Sequence, residues 1–228
     1  MSDTIFRDPG ISDGEKAVYV CGLADQPPSF DLVSEIHHDS EGYRSIIQAS
    51  PSAGSFAITV EQVFQRLDGR LRAASYRAET VSGGTVVSRE EAAFLGTRHL
   101  QIGGGLAPFS VDIMPLAGAL TLLRGLDFTE GATAEMDLWL AFSVHLPLSA
   151  RVEQRVPVEV PAGVIDCWQL RLRPRLAGLN PMFEKILGGF LPPAVVHIEA
   201  APPHRTVRVG FPTGPLPGDP RGWLELVT

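Results

Sequence analysis

Apolar and polar residues alternate along most of this chain, the period of strands that bury one face. The clearest stretch is 135–146. There Met136, Leu138, Leu140, Phe142, Val144 and Leu146 share one face, and Asp137, Trp139, Ala141, Ser143 and His145 share the other. Met136, Leu138, Leu140, Phe142 and Val144 are expected to be buried together. Residues 152–160 alternate likewise, with Val152, Val156, Val158 and Val160 opposite Arg151, Glu153, Arg155 and Glu159. Looser alternation at 55–67 and 71–81 flanks Asp68-Gly69, and Gly83-Gly84 leads into 85–92. Such dipeptides between alternating runs signal tight hairpins, so this part reads as an antiparallel meander. Pro161, Ala162 and Gly163 turn the chain into 164–173, and further runs follow at 194–200, 205–211 and 222–227. The total is about ten strands with short connections, which fits a barrel or a strongly curved sheet.

Helical signals are few. Residues 115–124 carry Pro115 in the first turn and Gly125 after the end, the usual asymmetry of a helix. Residues 180–187 carry Asn180 as N-cap and Pro181 at the first position, and Gly188 and Gly189 end them. Gly103, Gly104 and Gly105 form a loop without the strand–loop–helix spacing of a nucleotide site. Proline-rich residues 212–220 read as a surface loop. No repeat or change of composition divides the chain, so residues 1–228 are expected to form one domain.

Composition narrows the choice of partner. The chain is 44% hydrophobic and 20% charged, which suits a globular core. Its net charge is −7, and Lys16 and Lys185 are its two lysines. Nucleic acid, which needs clustered cations, is not expected as a partner. Cys21 and Cys167 both lie in apolar runs and read as buried strand cysteines rather than a disulfide. No ligand spacing for zinc occurs, and neither a metal nor a cofactor is expected. Residues 1–9 lack the basic and apolar regions of a signal peptide, and no run of about 18 apolar residues occurs. The expectation is a cytoplasmic protein without a membrane partner.

Several short segments resemble a bacterial domain-of-unknown-function family, number 3108. They are Leu122-Leu123-Arg124 followed by Asp127-Phe128-Thr129-Glu130-Gly131, the segment from Val158 to Trp168, and the opening strand from Gly14 to Tyr19. The resemblance implies a curved antiparallel sheet of lipocalin-like appearance and no particular reaction. Members of that family usually look exported, whereas this chain shows no export signal. With that resemblance, the expected fold is all-β and mainly antiparallel: a lipocalin-like barrel or strongly curved sheet with one or two short helices.

Polar side chains on strands are the candidates for chemistry. His145 shares a face with Asp137 and Trp139, which gives either a polar, aromatic compartment or simply the solvent side. Arg98 and His99 are adjacent and together suit an oxygen anion, or else mark a polar edge. Tyr76 sits among Ala73, Ala74 and Ala78, as a proton donor or as a packed ring. His197 lies two positions from Glu199 on one strand face. His37, His38 and Asp39 read as a loop, His204 as a turn residue, and Asp166 as a structural carboxylate. Gly-x-Ser-x-Gly is absent, which argues against a serine nucleophile. Catalytic candidates are thus His145, Arg98, His99 and Tyr76, and ligand-binding candidates are Trp139, Asp137 and His197.

Two functions fit these features. One is binding of a small apolar or aromatic molecule in the hollow of a curved sheet. The other is a cofactor-independent lyase or isomerase, using histidine, tyrosine and arginine acid–base chemistry on a small aromatic substrate in the same cavity. A scaffold without ligand is a third reading, and a homo-oligomer stays open.

Overall fold

The structure, a computed structural model, describes residues 4–100, 105–141, 144–175, 192–214, 216 and 218–228. Thirteen strands form one sheet. They are β1 (Glu15–Leu23), β2 (Phe30–His38), β3 (Gly42–Pro51), β4 (Phe56–Leu67), β5 (Arg70–Ser82), β6 (Thr85–Ala93), β9 (Ile113–Pro115), β10 (Thr133–Ala141), β11 (Val144–Val160), β12 (Gly163–Pro174), β13 (Ala194–Glu199), β14 (Thr206–Pro212) and β15 (Arg221–Leu226). The short strands β7 (Arg98–Leu100) and β8 (Leu106–Pro108) form a separate hairpin. Along the sheet the order is β6-β5-β4-β3-β2-β1-β15-β14-β13-β12-β11-β10-β9. Every pairing is antiparallel except β9 with β10.

The meander read from the sequence is present, and its turns show why. Asp68 and Gly69 both have positive φ, 51° and 73°, between the paired residues Leu67 and Arg70. Gly83 and Gly84 have φ of 58° and 78° between the paired residues Ser82 and Thr85. Two-residue hairpins need such angles, which glycine and aspartate adopt most readily.

The expectation of a lipocalin-like barrel or strongly curved sheet is corrected. The sheet is open: its hydrogen-bonded order ends at β6 on one side and β9 on the other, and no pairing joins them. Lipocalin-like closure requires those two strands to share a ladder. Instead β9 has three residues and ends in Pro115, which has no N–H to donate, while β6 is exposed along most of its length.

Side chains join the two ends where hydrogen bonds do not. Tyr76 of β5 packs edge-on against Trp139 of β10, with ring centroids 4.9 Å apart, and Phe94 packs against the same indole at 5.4 Å. At another point the N-terminal segment crosses between the sheet and its helical turn. The Arg7 N–H donates to Gly125 O at 2.8 Å, and the Leu71 N–H donates to Phe6 O at 2.8 Å. Phe6 is fully buried.

Helix is scarcer than the spacing predicts. Of residues 115–124, only Ala119–Leu122 (α1) is α-helical, followed by a 3-10 turn at Leu123–Gly125. Pro115 is drawn into β9, opposite Trp139. The helix expected at 180–187 lies outside the described residues.

The facing of β10 also differs from the simple alternation. Met136 is buried, Leu138 is partly buried, and Leu140 is 44% exposed. Trp139, from the opposite row, is 3% exposed. The register shifts between Trp139 and Ala141, which breaks the period at Leu140. Phe142 lies outside the described residues, as does the side chain of Val144. Met136→Ala should therefore cost about 2–5 kcal/mol, as for other buried Met truncations. Leu140→Ala should cost less than about 1 kcal/mol. Urea unfolding of the two variants checks the difference, and equal losses would restore the simple alternation.

Candidate functional site

The free edge of β6 is the starting point, and its pairing fixes which groups it presents. The Phe94 N–H donates to Ala74 O at 2.8 Å, and the register continues through Ser75 with Ala93, Tyr76 with Ala92, and Arg77 with Glu91. Antiparallel pairs alternate between hydrogen-bonded and non-hydrogen-bonded. Phe94, Ala92 and Glu90 thus turn their backbone groups towards β5, and Ala93, Glu91 and Arg89 turn theirs away. The hydroxyl of Thr97 donates to the Ala93 carbonyl, in keeping with that direction. Among the described residues no strand pairs with β6 on its outer side.

That edge borders an open cleft of about 470 Å³. It is lined by residues 89–93 of β6 together with Thr97, Arg98, Phe109 and Trp139. A second space of about 180 Å³ lies beyond Phe109 and is lined by His99, Pro108, Phe109, Ser110, Ile113, Asp137 and His145.

Six of the seven residues singled out in the sequence gather around this seam. Asp137 and Trp139 come from β10, and His145 from β11 directly opposite Trp139. Arg98 and His99 come from β7, and Tyr76 from β5. His99 stacks on Phe109 with ring centroids 3.9 Å apart and planes 7° from parallel, and it meets His145 edge-on at 5.5 Å. His145 Nδ1 lies 3.9 Å from Asp137 Oδ1, too far for a hydrogen bond. The Trp139 indole N–H is buried and has no acceptor, and neither ring nitrogen of His99 makes a hydrogen bond of good geometry. Burial pushes the His99 pKa below its ordinary value and the neighbouring His145 adds to that, against a smaller opposing pull from the Ala107 backbone. Burial raises the Tyr76 phenol, and the Glu90 carboxylate adds to the rise.

His197 is elsewhere. It sits on β13 in a cross-strand polar row, with its Nε2 3.3 Å from Gln169 Oε1. Gln169 in turn donates to Glu153, and Arg208, paired with His197, donates to Glu225 at 2.8 Å. Burial lowers its pKa, helped by Arg208. The row holds strands together and has no contact with the seam. The remaining candidates are structural: His38 Nε2 lies 2.7 Å from Ile11 O, His204 Nδ1 lies 3.0 Å from Glu199 O, and Asp166 pairs with Arg155. Cys21 and Cys167 are free thiols.

Nothing in the residue pattern marks Phe109, Phe94 or the β6 edge as parts of one place. Phe109 lies in an irregular stretch without periodicity, and the exposed side of an edge strand has no pattern distinct from any other solvent face.

The expected function is corrected along with the barrel. No enclosed hollow for a small apolar or aromatic molecule is present among the described residues. The larger space is open along its length, and the smaller falls below the roughly 300 Å³ at which ligand pockets usually begin. The lyase or isomerase reading relied on the same hollow and falls with it. Among the described residues no three His, Cys, Asp or Glu side chains are placed to hold a metal ion, and no helix is long and apolar enough to cross a membrane.

No family model matches the chain, and no curated protein matches it. The likeness to family 3108 therefore rests on the short segments alone. Two solved structures are similar across nearly the whole length. One, from Bacteroides fragilis, is described as an exported protein with a YmcC-like fold; it is 11% identical, covers 99% of this chain and 98% of its own, and has a TM-score of 0.34. The other, from Parabacteroides distasonis, is described as a lipoprotein; it is 9% identical, covers 100% of this chain and 99% of its own, and has a TM-score of 0.36. The cytoplasmic location read from residues 1–9 differs from both descriptions and is not retained. At these scores the likeness carries no argument about the fold, export or activity of this chain.

The buried imidazole makes the seam sensitive to acid. A histidine whose folded pKa is lowered does not weaken the fold above its free value of about 6.5. It destabilises progressively as pH falls below that, because the unfolded chain takes up the proton first. Urea midpoints should therefore fall between pH 7 and pH 5. His99→Phe, which keeps the stack on Phe109 but cannot titrate, should flatten part of that fall and leave the share carried by His197. An unchanged pH profile in His99→Phe would remove His99 from the account.

Proposed function

We propose that this protein is a binding module that takes an extended polypeptide segment against the free edge of β6. The observation that carries the reading is an unpaired strand edge bordering an open cleft. Outward-facing N–H and C=O groups at Arg89 and Glu91 are a template for one more strand, and the cleft opposite them has room for its side chains. Strand addition of this kind draws affinity from main-chain hydrogen bonds and selectivity from the pockets that alternate side chains enter. Nothing in it requires a reaction, a metal or a cofactor. The acidic balance of the chain speaks against nucleic acid as the alternative polymer.

The test removes one main-chain donor. Glu91→Pro deletes an N–H that points away from β5, a position where an edge strand tolerates proline. It also loses the exposed contact of Glu91 with Arg77, 3.8 Å in length, which is worth about 0–1 kcal/mol. Synthetic peptides of alternating valine and threonine, with one variable polar position, serve as probes and are titrated by calorimetry. Binding to the native chain and its loss in Glu91→Pro, with the melting temperature nearly unchanged, is the expected result. The same peptides methylated on alternate backbone nitrogens provide a check that leaves the protein intact. Only one of the two methylation registers should abolish binding. If both registers bind as well as the parent peptide, strand addition is wrong.

A further inference from the structure

The β7–β8 hairpin is attached to the rest of the protein at few points. Among the described residues no backbone hydrogen bond joins either strand to the thirteen-stranded sheet. Of the six residues in the two strands only His99 is buried; Ala107 is half-buried, and Arg98, Leu100, Leu106 and Pro108 are exposed. One imidazole thus pins the hairpin. Its ring is stacked on Phe109 and set edge-on against His145 of β11. Phe109 lines both spaces at the seam, and its other ring contact among the described residues is Phe94, 5.1 Å away. Thr97, Arg98 and Phe109, which the hairpin carries or adjoins, all line the cleft beside β6.

A histidine differs from any other apolar pin because it can take a charge. The groups that face His99 decide what a proton would meet there. Pro108, Phe109, Ser110 and Ile113 come from β8, the stretch after it and β9, and none of them titrates. β11 brings His145 and β10 brings Asp137. Arg98, the chain neighbour of His99, lies on the opposite, exposed face of β7. The Asp137 carboxylate stands beside His145, 3.9 Å from its Nδ1, and no carboxylate pairs with His99 among the described residues. A proton on His99 is therefore desolvated, unpaired and next to a second imidazole. Burial and His145 accordingly hold the His99 pKa below its ordinary value. In a released hairpin the same ring is in water and takes up its proton near the free value of about 6.5. Acid therefore favours release.

We propose that His99 is an acid-operated catch: uncharged, it holds the β7–β8 hairpin against the seam, and protonated, it frees the hairpin and loosens the segment bound at β6. This inference rests on the strand-addition reading and adds to it the regulation of the same site. Release withdraws Thr97 and Arg98 from the cleft and leaves Phe109 without the ring stacked on it. The segment then loses side-chain contacts while its main-chain bonds to β6 remain, so its affinity falls without vanishing. One proton is involved, so the fall cannot exceed about tenfold for each pH unit below about 6.5.

The probe is an alternating valine–threonine peptide with serine at the variable position and blocked ends, so that it carries no group that titrates near neutral pH. Its affinity is measured by calorimetry at about pH 7.5 and about pH 5.5. The native chain should bind it roughly three- to tenfold more weakly in acid. His99→Phe keeps a ring on Phe109 and takes up no proton, so its affinity should be the same at both pH values. His197→Gln removes the half-buried imidazole of β13, away from the seam, and should keep the native pH dependence. Hydrogen exchange without peptide reads the hairpin directly. In acid, after correction for the intrinsic rate, the amides of Arg98, His99, Leu100 and Ala107 should lose protection while those of β2, β3 and β4 keep theirs, and His99→Phe should cancel the loss. Equal affinity of the native chain at both pH values overturns the catch and leaves strand addition standing. Absence of binding at either pH overturns strand addition; hairpin-specific loss of protection in acid then still supports the catch on the hairpin, and no such loss overturns it. Loss of protection in all strands together means global unfolding and overturns it as well. A pH dependence that persists in His99→Phe belongs to another group and overturns the role of His99.

Discussion

Trp139 holds together a sheet that its hydrogen bonds leave open. A ladder of thirteen strands has two ends, and in this protein neither pairs with the other. The indole lies between Tyr76 and Phe94 from the β5–β6 side and belongs itself to the β10 side. Edge-to-face contacts of this kind add roughly 0.5–1.5 kcal/mol each beyond the area they bury. A seam made of side chains has a property that a ladder lacks. It brings two strand edges near each other without using their backbone groups, so the groups on β6 stay available.

The seam would not be placed without a second anchor. Arg124, in the short helical turn after α1, is 3% exposed and reaches Glu15 of β1 with two nitrogens, at 2.6 and 3.0 Å. Its Nε donates to Pro203 O at 2.8 Å. A buried ion pair is tolerable only when its donors and acceptors are satisfied, as they are at this one. Nearby, burial pushes the Tyr19 phenol up to about 12, so it stays neutral. The pair fixes the turn that carries Gly125, and Gly125 O receives the N-terminal segment through Arg7. That segment then delivers Phe6 to the start of β5. A Cβ at Gly125 would sit 2.0 Å from Arg7 O, so this close approach requires glycine.

Much of this was legible in the sequence, and the failures have physical causes. Period-two runs and the Asp68-Gly69 and Gly83-Gly84 turns fixed the strand content, because a tight hairpin demands positive φ from those residues. Asp137, Trp139 and His145 could be grouped because one strand face and one pairing bring them together. Arg98, His99 and Tyr76 could be assigned to the same compartment but not positioned in it, since the contacts between strand ends span long stretches of chain. Closure was misjudged for the same reason. An alternating strand looks identical whether its outer edge meets a neighbour or water, and what stops closure is the brevity of β9 and the proline at its end. Within the described part of the row from Met136 to Val144, Leu140 departs from the expected facing, beside a register shift that leaves no trace in hydrophobic spacing.

An exposed edge strand is a hazard unless something discourages indiscriminate pairing. On β6 that role falls to charge. In a symmetric antiparallel pairing of two copies, with the outward-facing residues in register, Arg89 would face Glu91, a favourable match. The same register sets Glu90 against its own counterpart, and directly opposed like charges are destabilising. Shifting by one step to avoid this places Arg89 against Arg89 or Glu91 against Glu91. Every self-pairing centred on the outward-facing positions 89 and 91 therefore opposes one pair of like charges. A foreign strand with an uncharged residue opposite Glu90 escapes that penalty and keeps the main-chain bonds. The residues that make the edge soluble thus also bias it towards a partner other than itself.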